Sequence, residues 1–223
     1  MKRLILLVLA AIAAAGVASA QQPVKEVIRQ RKEMAKMSRT DRNNFVVNAA
    51  RKEVKAYEKA GWATFAGQLP FEMQMERAFA MRYELDKKLF PRYVMGEAIC
   101  KGESYEAAEA DAVEWAKLNM AEQVQTEICI LIDNGLADNR LTADEAAAIT
   151  ETVMSSRELI ALNIERVIPV VKCRRIEETG NNELYLCIAY GTEIAIEGAK
   201  KALRRELDMK ALYERFDSIT KRQ

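Results

Sequence analysis

The chain has 223 residues, 50% of them hydrophobic and 30% charged, with only 9 Gly and 4 Pro; this composition fits a compact, mostly helical protein and excludes extensive disorder. Its 34 basic and 33 acidic side chains leave a formal net charge of +1, too little for the global electrostatic pull of a nucleic-acid binder. Histidine is absent, which removes the commonest general base and transition-metal ligand, and with them serine-type triads, Cys-His nucleophiles and ordinary zinc hydrolase sites.

The chain opens with Lys2 and Arg3, an apolar run from Leu4 to Ala15, and Ala18-Ser19-Ala20. That pattern predicts a secretory signal over residues 1–20, with a small-x-small cleavage site and a mature chain starting at Gln21. No cysteine for lipid attachment follows the apolar run, and no later stretch approaches the roughly 20 apolar residues of a membrane helix. The expected product is exported: periplasmic, outer-membrane associated or secreted.

Charge is unevenly spread beyond that point. Between Gln21 and Ala60 eleven basic side chains face five acidic ones, whereas between Lys101 and Ile164 four face thirteen. Such runs are read either as solvated helix faces that offset each other within the fold, or as a basic N-terminal arm that meets an anionic envelope surface or a neighbouring copy.

In chain order, residues 24–38 predict a weakly amphipathic helix, an extension rather than core. Residues 42–60 predict a better one, with Val46, Ala50, Val54 and Tyr57 on one face, ended by Gly61. "GWATFAGQLP" then reads as a loop that tucks Trp62, Phe65 and Leu69 against the domain. Pro70 suits the first turn of the next helix, whose apolar side is Phe71, Met75, Phe79 and Met81 and which is expected to reach about Lys88. Residues 21–89 thus form a helical N-terminal segment, followed by an α+β domain over 90–223.

That domain starts with a strand, Tyr93 to Ile99, and a helix capped by Ser104 with Glu106 in its first turn. Ala108, Ala112 and Ala116 make a smooth stripe for close approach to a neighbour, and Gly135 and Asn139 are read as the helix breakers. "TADE", Thr142 with Glu145 three residues on, is a capping box that starts a further helix reaching about Asn163. Two β-rich runs, Val167 to Ile176 and Leu184 to Tyr190, flank "EETGNNE" as a hairpin with Glu177-Glu178 at its tip; Pro169 requires an edge or a bulge. Gly191-Thr192 open a last helix with Ile196, Ala199, Leu203, Leu207 and Phe216 inward. The fold class is α+β: a small three-stranded antiparallel sheet in the order β-α-α-β-β-α, packed on helices, with a helical N-terminal extension.

Two segments carry a resemblance, "YVMGEAICKGESYEAAEADAVEWAKLNMAEQVQTEI" and "RVIPVVKCRRIEETGNNELYLCIAYGTEIA". With "GWATFAGQLPFEMQMERAFAMRYE" upstream, the chain is similar to secreted proteins of uncharacterised function in Bacteroides-type bacteria. Over residues 90 to about 205 it resembles the bacterial envelope family typified by the twenty-kilodalton surface lipoprotein, related to the amino-terminal domain of flagellar protein T. The resemblance implies a dodecin-like sheet packed on helices, a scaffold rather than a catalytic site.

The strand, glycine and helix sequence around Gly96, Gly102 and Ser104 invites comparison with a phosphate cradle. "GEAICKGES" nevertheless matches neither GxxxxGK[ST] nor GxGxxG, and Glu97, Glu103, Glu106 and Glu109 would repel a phosphate. The expectation is a structural joint. Of Cys100, Cys129, Cys173 and Cys187, the last two would face each other if Ile176 lay opposite Leu184; a Cys173–Cys187 disulfide and plain buried thiols are the two readings. Trp62 and Trp115 are core residues or the walls of a ligand groove. No catalytic residue, cofactor or metal set is expected.

The function expected from these observations is a non-catalytic exported cell-envelope protein, an assembly or interaction module that joins a copy of itself or another envelope protein. The alternative is a periplasmic carrier of a small apolar or aromatic ligand.

Overall fold

A computed structural model of the chain describes residues 24–176 and 180–221. The expected signal segment and the hairpin-tip residues Glu177 and Glu178 lie outside the described residues. The described elements are α1 (Val24–Lys36), α2 (Arg39–Lys59), β1 (Ala63–Thr64), α3 (Phe71–Arg82), β2 (Tyr93–Gly102), α4 (Tyr105–Ala137), α5 (Ala143–Ser155), α6 (Arg157–Leu162), β3 (Ile168–Ile176), β4 (Asn182–Gly191), α7 (Thr192–Met209) and α8 (Tyr213–Thr220).

The sheet has four strands, not three, all antiparallel in the order β1-β3-β4-β2. The added strand is Ala63–Thr64, which pairs with Arg174 and Cys173; two residues carry no periodicity for a sequence reading to catch. In the central strand β4, every residue from Glu183 to Ala189 is buried, and its side chains alternate between two cores. Leu184, Leu186 and Ile188 meet Val94 of β2 and the α4 face built from Ala108, Ala112, Ala116 and Met120, with α5 to α8 packed around it. Tyr185, Cys187 and Ala189 meet the opposite layer, where Val46, Ala50 and Val54 of α2 and Phe71, Met75 and Phe79 of α3 lie with Trp62. Helices therefore cover both faces of the sheet, and α2 and α3 are part of its core.

Several expected boundaries shift for identifiable reasons. Helix α3 ends at Arg82 rather than Lys88, because the Asp86 carboxylate accepts the backbone N–H groups of Lys88 at 2.8 Å and Phe90 at 2.9 Å and closes a turn instead. Pro70 is the residue before that helix, not within its first turn. Leu69 is exposed rather than tucked in. Helix α4 runs through Gly135 and ends at Ala137; Asn139 takes a left-handed φ of 56°, and the Arg140 N–H reaches back to the Gly135 carbonyl at 2.8 Å. Gly135 is a packing point, since a Cβ there would stand 2.7 Å from Cγ2 of Ile219 on α8.

The helix opened by "TADE" has its full capping box but breaks at Ser156, whose hydroxyl bonds the Thr152 carbonyl at 2.8 Å. Ala211, at φ 56°, ends the run after α7, so Phe216 belongs to α8 rather than to α7. Pro169 sits where the β3–β4 register shifts between Pro169 and Val171, the bulge its missing N–H requires. The hairpin pairs Ile176 with Asn182, two residues away from the expected Leu184. Glu183 explains the longer ladder: it lies across from Lys101 on one side and Arg175 on the other, buried and ion-paired to both.

Candidate functional site

A concavity of about 900 Å³ among the described residues is a groove between α1, the end of α3 and the middle of α4. Helical spacing builds its walls. On α1, Val27, Arg31 and Met34 recur at i, i+4 and i+7 and form one stripe; on α4, Asn119, Gln123 and Thr126 do the same. Tyr83, Leu85, Pro91, Met154 and Arg157 complete the lining.

Several polar groups on this surface have structural work. Arg31 forks onto Glu127, with Nη1 donating to Oε2 at 2.9 Å and Nη2 donating to Oε1; the Glu127 side chain is 4% exposed and that of Arg31 15%. Arg157 donates to the Leu118 carbonyl and to Asn119 Oδ1, both at 3.0 Å, and pairs with Glu122 at 3.2 Å. Gln125 donates to the Val153 carbonyl at 2.7 Å and ties α4 to α5.

Asn119 and Gln123 act on the sheet. β2 is an edge strand, and its outward backbone groups need partners. Gln123 Oε1 accepts the Met95 N–H at 2.9 Å, and Asn119 Nδ2 donates to the Glu97 carbonyl at 2.7 Å. Behind them, Arg82 pairs with the Glu97 carboxylate, which also accepts the Tyr185 hydroxyl at 3.2 Å. Tyr57 stacks on Tyr185 with centroids 5.1 Å apart and planes 8° apart. Burial pushes the Tyr57 phenol up to about 12 and Tyr185 well above the ordinary phenol range. The arginines of the groove are thus each closed by a carboxylate, which makes the surface locally neutral rather than an anion trap.

The residues singled out in the sequence fall elsewhere. Trp62 is 5% exposed in the core against Tyr57 and Tyr185, whereas Trp115 is 57% exposed on α4, which packs on the opposite sheet face. The structure does not bring the two tryptophans together as groove walls. Cys173 faces Tyr185 and Cys187 faces Val171, both thiols are free, and burial pushes each up to about 12. The expected register for a direct Cys173–Cys187 pair is absent.

The glycine joint is filled by protein. A Cβ on Gly102 would stand 2.8 Å from the Ala108 nitrogen, and Ser104 Oγ accepts the Ala107 N–H at 3.2 Å, capping α4 from within. Glu106 is held below the ordinary carboxylate range by its own backbone N–H and by Ser104. Among the described residues no group of three or more Cys, Asp or Glu is placed to hold a metal ion, and no helix is long and apolar enough to cross a membrane. No protein-family model, no curated protein and no solved structure matches this chain.

The Arg31–Glu127 pair spans 96 positions, so no local pattern could name the two partners. The legible signal was coarser: a basic run early in the chain and an acidic one in its middle.

Proposed function

We propose that this chain is a non-catalytic, exported cell-envelope protein that works as an assembly or interaction module, joining a copy of itself or another envelope protein. The observation that carries this reading is the docking of the basic helix α1 on the acidic helix α4 through Arg31 and Glu127, over a groove that the chain leaves partly unfilled. A charged contact above an incompletely packed surface suits association better than chemistry. The buried, high-pKa thiols and the mutually paired carboxylates and arginines support a non-catalytic role.

The leader-like first twenty residues support export. The likeness to the envelope lipoprotein family and its dodecin-like arrangement belongs to the same proposal; it is supported by the antiparallel β3-β4-β2 ladder with α4 across its face. An anionic envelope surface is a further partner for the basic arm. Size-exclusion chromatography with light scattering, together with cross-linking in the envelope, tests the proposal: a strict monomer with no envelope partner overturns it.

The second reading, a carrier of a small apolar or aromatic ligand, draws on the groove of about 900 Å³ and its Met34, Tyr83, Leu85 and Met154. Native mass spectrometry of the protein from its source should then show a co-purifying mass. A bare chain would sink this reading.

A further inference from the structure

We propose that α1 is an exchangeable helix: two copies of this chain join when the α1 of each docks on the α4 of the other. The inference rests on the reading of the chain as a self-assembling module and names the element that does the joining.

The first argument is the hinge. α1 ends at Lys36 and α2 begins at Arg39, so only Met37 and Ser38 lie between them. Ser38 holds the bend, its Oγ accepting the Asp41 N–H at 3.1 Å and donating to Asp41 Oδ2 at 2.6 Å. If that cap opens, α1 and α2 continue as one rod and α1 is carried to a neighbour. A short, bent connection of this kind is the usual setting for exchange of an element between protomers.

The second argument is that the docking patch is self-contained. Val27 and Ile28 pack against the core around α4, and Arg31 forks onto Glu127. Each of these contacts is reproduced atom for atom when α1 comes from another copy. Charge favours this in trans as in cis, because Arg31 of α1 meets Glu127 of α4, a helix with seven acidic side chains against one basic.

The third argument is that the closed arrangement is imperfect at this place. Arg42 sends Nη2 to the Met34 carbonyl at 3.4 Å, while its Nε is buried with no hydrogen-bond partner. The groove under α1 is not filled. Opening the bend returns Arg42 to water, which offsets part of the cost of releasing the helix.

The test uses charge reversal across chains, read by size-exclusion chromatography with light scattering. Arg31→Glu alone and Glu127→Arg alone each set like charges against one another and should lose the dimer. An equimolar mixture has opposite charges only between unlike chains, at both docking sites, so a heterodimer should appear. The double variant Arg31→Glu/Glu127→Arg should regain the wild-type dimer. A mixture that forms no heterodimer from two folded variants overturns the proposal.

If far-UV circular dichroism shows that Glu127→Arg does not fold, the hinge decides. Ser38→Ala should raise the dimer share, and a Gly-Ser linker inserted between Met37 and Ser38 should lower it by letting α1 fold back freely. A share that neither change moves overturns the proposal. A wild-type dimer indifferent to all of these variants leaves self-assembly standing and removes α1 from it; a strictly monomeric wild type removes both.

Discussion

A Cβ placed on Gly96 of β2 would stand 1.8 Å from the carbonyl oxygen of Ala116 on α4. The alanine stripe of α4 is therefore smooth for a specific reason: it lies directly on the backbone of an edge strand, closer than any side chain on that strand would allow. Ala108, Ala112 and Ala116 are wholly buried, and Met120 one turn further on also flanks the glycine, with its Cβ 3.2 Å from the same point.

Gly96→Ala should accordingly be far worse than an ordinary overpacking change. The obstacle is helix backbone, which cannot rotate away as a side chain can, so a loss of about 3 kcal/mol or more is expected in chemical denaturation. Gly67→Ala serves as the control, because no atom lies within 4 Å of the new methyl group and only the left-handed φ of 80° opposes it. That change should cost about 1–2 kcal/mol. Equal losses at the two positions would contradict the contact.

The two glutamines at the sheet edges make a second pair of expectations. Gln74 accepts the Lys172 N–H at 2.8 Å and donates to the Leu69 carbonyl at 2.7 Å, on the side where β1 covers only the far end of β3. Gln123 serves Met95 on the opposite edge. Gln74 is 5% exposed, so Gln74→Leu leaves two backbone groups without partners where water enters poorly; about 2 kcal/mol should be lost. Gln123 is solvent-exposed, water can take its place, and Gln123→Leu should cost about 1 kcal/mol or less. A Gln74→Leu protein as stable as the parent would show that the amide does not protect the edge.

These cases mark how far the sequence can be read. The Ser104 cap, the Thr142–Glu145 box, the alanine stripe and the Pro169 bulge depend on residues a few positions apart, and all were legible. The hairpin register was not, because Glu183 extends the ladder only by virtue of Lys101 and Arg175 on neighbouring strands. Gly135 looked like a breaker because its reason for being glycine, Ile219, lies 84 positions away, a partner that no local window includes. The groove was illegible for the same reason: it arises where three elements fail to close, and its residues carry no motif of their own.

The register bears directly on the thiols. Cys173 and Cys187 lie diagonally across the β3–β4 ladder, and diagonal neighbours are about 7–8 Å apart, beyond the usual span of a disulfide. Peptide mapping of the protein exposed to air should show Cys173 and Cys187 reduced. At neutral pH a thiol reagent should reach Cys173 and Cys187 only after denaturant is added, since both are buried and burial pushes each up to about 12, which keeps them as unreactive thiols. A bond between the two in peptide mapping would show that the strands shift to make it.

Acid should loosen the C-terminal side of the molecule through two carboxylates. Glu145 is held below the ordinary range first by the Thr142 backbone N–H, then by the Thr142 hydroxyl and Arg215; Asp217 is held down by Lys200 and Lys221. A carboxyl whose folded pKa is depressed stabilises the fold above its unfolded value and loses that contribution as pH falls through the folded one. Glu53 acts in the opposite sense, because burial raises it and protonation relieves its cost. The net expectation is a thermal midpoint that drops as pH falls below about 4. Glu145→Gln and Asp217→Asn remove the titrating groups, so each should lower the midpoint at pH 7 and flatten its dependence on acid. Calorimetry from pH 7 to pH 3 checks this, and parallel curves for parent and variants would rule out the two carboxylates as the source of the acid sensitivity.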